Sequence, residues 1–260
     1  MNARLPAPMD VKLMNLTASV LFAGFAVLVA VTAVRWALNH RLFSIAGITV
    51  TGDTAHNSTA TLRANVAPRL AGNFFTLDPK QAREVFETAP WVRKAVVRKH
   101  FPNRLKVQLQ EHQVVALWGA EGDSRMVNSF GEVFEANAGE VETESLPRLA
   151  GPDGESAHVL ELYQSVAPLF EPLDLAVEEL ALSGRGSWSL RLDTGARVEL
   201  GRGTPPEVAA RTQRFVQTLT QVTGKYGRRP DALVSADLRH ENGYAIRLRG
   251  VTTTDAQPKK

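Results

Sequence analysis

Between Lys12 and Arg35 the chain carries no charged residue, an interval of 22 residues from Leu13 to Val34 built mainly of Leu, Val, Phe and Ala with one glycine. At about 1.5 Å per helical residue, such a run crosses a hydrocarbon core of about 30 Å. Trp36 stands where an interfacial aromatic anchor belongs. A cleaved signal peptide is the competing reading, because Val31-Thr32-Ala33 offers the small residues that a signal peptidase accepts. The apolar run is longer than the roughly 7–15 residues of a signal core. A retained membrane helix over residues 15–37, behind a tail of residues 1–14, is therefore expected. The flanking charges do not orient it, since Arg4 and Lys12 on one side face Arg35 and Arg41 on the other. The short segment before the span and the long part after it place the N-terminus inside.

Beyond the span the chain has the make-up of folded protein. The 260 residues are 44% apolar and 22% charged, which suits one or two soluble domains and excludes a disordered chain. The chain contains no cysteine. That excludes thiolate catalysis, Cys-ligated zinc and iron–sulfur clusters, and it fits an exported protein without disulfides. The formal charge of +3 is unevenly spread: Val34–Glu111 has 12 Lys/Arg against 5 Asp/Glu, and His112–Leu160 has 2 against 9. Two differently charged units explain this better than one nucleic-acid-binding surface.

The first unit spans residues 43–111. Ile45, Ile48 and Val50 open a strand that ends at Gly52-Asp53. Ser58 can cap a helix bearing Leu62, Val66 and Leu70 on one face. Asp78-Pro79 starts a second helix with Ala82, Val85 and Phe86, which stops before Pro90. Trp91–Arg98 reads as a strand, Pro102-Asn103 as a turn, and Leu105, Val107 and Leu109 as the inward residues of a half-buried strand. The order is β-α-α-β-β. Trp91 and Val92 read as core, and Gly52 as a residue supplying backbone geometry at a strand end.

The second unit spans residues 112–250. Short strands are expected at Val114–Trp118, Arg125–Asn128 and Glu132–Glu135, then a linker from Asn137 to Glu155. A helix over Ala157–Phe170 turns Leu160, Tyr163, Val166 and Ala167 inward. Strands return at Leu175–Leu182, Trp188–Leu192 and Arg197–Leu200. A clear helix starts at Pro205-Pro206, with Val208, Thr212, Phe215, Leu219 and Val222 on one face. The last elements are a strand over Leu233–Arg239, a hairpin signal at Asn242-Gly243 and a return strand over Tyr244–Leu248. Residues 251–260 read as a disordered tail. A final strand before such a tail is expected at a sheet edge, where unpaired N–H and C=O groups can receive a partner strand or where Arg247 and Arg249 simply blunt the edge.

Several segments resemble the FtsQ/DivIB family of bacterial cell-division proteins. In the first unit these are Phe43-Ser44-Ile45, Ile48-Thr49-Val50-Thr51-Gly52, Pro90-Trp91-Val92, Phe101-Pro102-Asn103-Arg104-Leu105 and Glu111. In the second they are Ala116-Leu117-Trp118, Leu146-Pro147-Arg148-Leu149-Ala150-Gly151-Pro152, Leu200-Gly201-Arg202 and Asp237-Leu238-Arg239 before Asn242-Gly243. The resemblance runs from the span to residue 249. It implies an α+β protein with one N-terminal transmembrane helix, a small POTRA domain, and a larger, mainly antiparallel β-domain with two packed helices. It implies a single-pass protein of the cell inner membrane at the division septum, N-terminus cytoplasmic and C-terminal part periplasmic. The function implied is that of a scaffold joining early and late division proteins. FtsB, with FtsL, is the partner implied for the end of the β-domain, through Leu238, Arg239, His240, Asn242, Gly243, Tyr244, Ala245, Ile246, Arg247 and Leu248. FtsK, FtsW and other division proteins are implied for the POTRA-like unit. His240 stands where the family often has tyrosine, so a smaller, titratable ring replaces that contact.

No enzyme is expected. The six histidines include no i, i+4 pair and no His-Glu-x-x-His, and the chain has no Gly-x-Ser-x-Gly, Ser-x-x-Lys or Walker motif. His100 and His112 flank a hairpin without a carboxylate pattern to complete a metal site. No cofactor, nucleic acid or small-molecule substrate is expected. Another POTRA-containing envelope assembly protein, or a structural protein touching peptidoglycan, is the alternative.

Overall fold

The computed structural model describes residues 9–39, 43–70, 73–240 and 243–251. The chain divides after Glu111 into two compact units.

The first unit begins with a single helix, α1 (Met9–Asn39), which extends past both ends of the 15–37 interval. Its Leu16, Phe22, Phe25 and Leu28 are all exposed. An apolar helix with no buried stripe suits surroundings that are themselves apolar, and its Met9–Trp36 portion is long enough to cross a membrane. After it come β1 (Gly47–Gly52), α2 (Thr59–Val66, continued by a 3₁₀ turn to Leu70), α3 (Pro79–Glu87), β2 (Val92–His100) and β3 (Arg104–Glu111). The helices form a crossover that brings β1 parallel to β3, and the β2–β3 hairpin is antiparallel, giving the order β1-β3-β2. Leu62, Val66 and Leu70 join Ala82 and Phe86 over Ala95, Leu105, Val107 and Leu109, leaving the other face of the sheet uncovered by these helices. Asp78 caps α3 by accepting the Lys80 N–H at 2.8 Å, with Pro79 at the first helical position. Gly52 has φ +97°, and a Cβ there would collide with the Leu109 carbonyl oxygen, so no side chain fits.

One buried carboxylate closes this unit. Glu111 accepts the backbone N–H groups of His56 (3.0 Å) and Asn57 (2.9 Å), the Asn57 side-chain amide (2.9 Å) and a contact from His56 Nδ1 (3.3 Å). The His56 ring stacks on buried Trp91 with centroids 4.0 Å apart. Burial alone would raise the Glu111 pKa. The hydrogen bonds from His56 and Asn57 together outweigh it and hold the group below its ordinary value. The β1–α2 loop is thereby tied to the far end of β3.

Among the described residues, the second unit is a nine-stranded sheet with two helices on one face. Its strands are β4 (Val114–Trp118), β5 (Arg125–Asn128), β6 (Val133–Glu135), β7 (Arg148–Ala150), β8 (Val177–Leu182), β9 (Ser187–Leu192), β10 (Arg197–Arg202), β11 (Leu233–Asp237) and β12 (Ala245–Leu248). The helices are α4 (Ser156–Phe170) and α5 (Pro205–Gly224). The order is β12-β11-β10-β9-β8-β7-β4-β5-β6, with five antiparallel and three parallel pairings. Val159, Leu162, Val166 and Phe170 of α4 and Val208, Phe215 and Leu219 of α5 pack over Trp118, Leu180, Leu190, Val198 and Leu233.

Two sequence expectations change. The Asn137–Glu155 segment is not simply a linker, because it contains β7, a strand inside the sheet that pairs parallel with both β4 and β8 around fully buried Leu149. Three residues are too few to show an alternation. On α5 the deep position is Thr223 and not Val222; its hydroxyl donates to the Leu219 carbonyl at 3.0 Å, and buried Thr212 likewise to Val208 at 2.9 Å. A threonine satisfied by its own helix can occupy an apolar face.

Replacing Glu111 by Ala orphans the His56 and Asn57 donors and is expected to destabilise the first unit by about 3 kcal/mol. Amide hydrogen exchange should quicken across residues 53–58, with a smaller effect in Glu111→Gln, which keeps an acceptor. Unchanged protection of that loop in Glu111→Ala would remove the carboxylate from its role.

Candidate partner-binding edge

The sheet of the second unit ends on β12, and its placement starts two strands inward. β10 carries a bulge between Glu199 and Gly201. Gly201 takes φ +82°, and Arg211 of α5 fills the bend by donating to the carbonyls of Leu200 and of Arg202. β11 lies parallel to β10 in the register Arg197↔Ser235 to Glu199↔Asp237, and the Leu238 N–H extends the ladder to the Glu199 carbonyl at 2.8 Å. β12 then runs antiparallel to β11, pairing Asp237↔Ala245, Ala236↔Ile246 and Ser235↔Arg247.

The alternation of an antiparallel ladder decides which amides are left over. Because Leu238 faces β10, Asp237 faces β12, and its opposite Ala245 faces inward too; the Arg249 N–H, donating to Ala232 at 2.8 Å, agrees. Ile246 and Leu248 consequently direct their backbone groups away from the sheet. The Leu248 carbonyl accepts the Val251 N–H at 3.4 Å, whereas on the outward side of Ile246 no neighbouring strand lies among the described residues.

The ten residues singled out from the sequence divide into distinct roles. Leu238 and Leu248 are buried in the core, so their side chains hold the edge in place. Tyr244 packs edge-on against Phe215 (4.9 Å), and its hydroxyl lies 2.7 Å from Thr218 Oγ1, fixing the start of β12 to α5. Ile246 is half-buried against the same core. Ala245 and Arg247 are exposed on the sheet face away from the helices. With Arg197, Glu199, Ser235 and Asp237 they line a shallow depression of about 390 Å³. Arg239, His240 and Gly243 are exposed, and Asn242 lies outside the described residues. The supporting residues that sequence reading did not find are Arg211 and Thr218; Phe215 reads from sequence as a core residue of α5, without its link to Tyr244. Gly201 stands just past the expected Arg197–Leu200 strand and reads from sequence as a turn; the strand in fact continues through it to Arg202 with a bulge.

A charge pair stiffens the exit from β11. Arg239 donates to Asp237 through Nε (2.8 Å) and Nη2 (2.5 Å), and the Arg239 N–H adds a bond of 3.0 Å to the same carboxylate. The guanidinium hydrogen bonds draw the Asp237 pKa from 3.8 down to about 2. The arrangement can pair backbone and present charge. Among the described residues, no three His, Cys, Asp or Glu side chains gather in a way that could hold a metal ion.

Comparison with known proteins covers both units. The family model "POTRA domain, FtsQ-type" matches residues 43–112, and "Cell division protein FtsQ/DivIB, C-terminal" matches residues 116–239. The cell division protein FtsQ of Thiomonas arsenitoxydans is 39% identical over 248 residues, 94% of this chain and 89% of the relative. That of Burkholderia pseudomallei is 39% identical over 254 residues, 96% and 99% of the two chains. That of Bordetella pertussis is 36% identical over 268 residues, 96% of each.

Because its folded pKa is depressed, Asp237 contributes stability that is complete above its ordinary value of 3.8 and is lost as the pH falls through about 2. A pH titration of amide exchange at Arg239 should show loosening in that window, and Asp237→Asn should remove the step. An identical acid profile in the variant would show that the pair does not set the geometry of this turn.

Proposed function

Because the chain belongs to the FtsQ/DivIB family of cell division proteins, we propose that it is a non-enzymatic divisome scaffold whose second unit holds FtsB, together with FtsL, by adding a strand along β12. In this reading α1 keeps the protein in the inner membrane, N-terminus cytoplasmic and both folded units periplasmic, at the septum. The POTRA unit receives other division proteins, FtsK and FtsW among them. The scaffold thereby links early-arriving proteins to those that act late in septal synthesis.

The observation that carries this reading is the end of the nine-stranded sheet: a strand anchored by Tyr244, Ile246 and Leu248 on its inner face, with the Ile246 backbone directed away from β11. Strand addition draws its affinity from such backbone groups and its specificity from side chains on alternate faces. Ala245 and Arg247 lie on the open face, where an incoming strand and its flanking residues meet them.

Proline at Ile246 removes an outward N–H while sparing the inward bonds of Ala245 and Arg247, and an edge strand tolerates proline better than an interior one does. Ile246→Pro is expected to weaken binding of a periplasmic FtsB segment by about tenfold or more, measured on the full chain in detergent or nanodiscs. Circular dichroism and the hydrogen exchange of β10 should stay close to those of the parent. Undiminished binding by a folded Ile246→Pro chain would exclude pairing along β12.

A further inference from the structure

We propose that the end of the POTRA unit next to α1 is a membrane-surface anchor: an aromatic tip with a basic rim that enters the phospholipid headgroup layer. The inference rests on the reading of α1 as a membrane span.

Three loops meet at this end. The Asn73 side-chain amide donates to the Leu38 carbonyl in the last turn of α1, and Asn73 also bridges to Ser44. The Phe74 N–H donates to the Phe43 carbonyl at 2.7 Å, and the Ala46 N–H to the Asn103 carbonyl at 2.9 Å. Residues 43–46, 73–76 and 101–103 are thus held together where α1 ends. Their phenylalanines form a chain: Phe43 to Phe75 (4.9 Å between centroids), Phe75 to Phe74 (5.6 Å) and Phe74 to Phe101 (6.4 Å). Phe74 is buried, but Phe75 is 48% exposed and Phe101 70% exposed. Two neighbouring exposed phenylalanines at loop tips add nothing to the core. Beside a span, they have an apolar layer within reach.

The surrounding charge is of one sign. Lys99 lies 5.6 Å from the Phe74 ring centroid, with Nζ 3.4 Å from the Phe75 carbonyl oxygen. On the uncovered face of the sheet Arg98 stands directly opposite Lys106, and Arg104 follows on the same face towards the hairpin turn, all three exposed. Like charges paired across strands repel. Three of the unit's five carboxylates after the span are engaged elsewhere: Glu111 with His56 and Asn57, Glu87 with Arg83 and the Ala95 N–H, and Asp78 as the cap of α3. A layer of anionic headgroups neutralises such a rim while the aromatic tip enters beneath it. Docked in this way, the strands rise from the bilayer with the Glu111 end outermost.

The absence of cysteine makes the full chain directly testable. Single cysteines at Thr76 (tip), Ala55 (opposite end of β1) and Phe25 (middle of α1) would carry an environment-sensitive fluorophore. The chain would be reconstituted in phosphatidylethanolamine–phosphatidylglycerol vesicles containing headgroup- or acyl-chain-nitroxide lipids. The proposal expects the Thr76 probe to lose most of its emission to the headgroup quencher, the Phe25 probe to the acyl-chain quencher, and the Ala55 probe to neither. In the Thr76→Cys background, Phe75→Ser with Phe101→Ser should abolish quenching, and replacing phosphatidylglycerol by phosphatidylcholine should reduce it. Quenching at Phe25 without quenching at Thr76 would overturn the anchor and leave the span standing. No quenching at Phe25 would remove the span and the anchor with it. Quenching at Thr76 that survives the double serine variant, or ignores lipid charge, would overturn the assigned chemistry; an acidic protein segment binding the rim in solution would then be the better occupant.

Discussion

Every backbone amide that a sheet takes out of water needs a partner, and at the end of a sheet this requirement falls on one strand. At one end of the second unit's sheet that strand is β12, four residues long and turned so that its inner side chains join the core. Alternation permits this division. Ala245 and Arg247 spend their backbone groups on β11 and turn their side chains to the open face, whereas Ile246 turns its side chain to the core and its backbone outward. The short length and Arg247 limit indiscriminate pairing, so the edge suits a partner that brings its own register.

Much of this was legible in the sequence because it depends on local periodicity and turn chemistry. The crossover of the first unit comes from Ser58, from Asp78-Pro79 and from apolar residues at helical spacing, and its hairpin from Leu105, Val107 and Leu109 alternating with polar residues. The terminal hairpin announced itself through residues 233–248. Local pattern could not show pairing between distant segments. β7 owes its strand character to β4 and β8 on either side, and its three residues say little alone. Tyr244 reads from sequence as a partner contact; only the fold reveals Phe215 and Thr218 beneath it. Leu238 sits in a family motif, and burial gives it a structural part in the site.

The two units solve the problem of fixing a loop with different chemistry. In the first, a carboxylate at the end of β3 gathers donors from a loop more than fifty residues earlier in the chain. Burying that charge is tolerable because its oxygens meet several N–H groups and a histidine ring. In the second, an arginine on α5 reaches out to the carbonyls that the Gly201 bulge leaves unpaired. Each device places one charged side chain against backbone groups that the local irregularity would otherwise strand.

The α5 helix is therefore more than a cover for the sheet. Phe215 and Leu219 fill the core, Arg211 fixes the bend of β10, and Thr218 with Phe215 holds Tyr244 at the start of β12. Three strands at the end of the sheet are referred to one rigid element. Binding by strand addition costs conformational entropy wherever a chain must be ordered. In the strand addition proposed above, β12 is already extended and anchored at both of its ends, and that cost falls on the incoming segment alone. A loosened edge would share the cost and bind more weakly with every contact intact, so under this proposal affinity depends also on residues of α5 that lie beneath the edge.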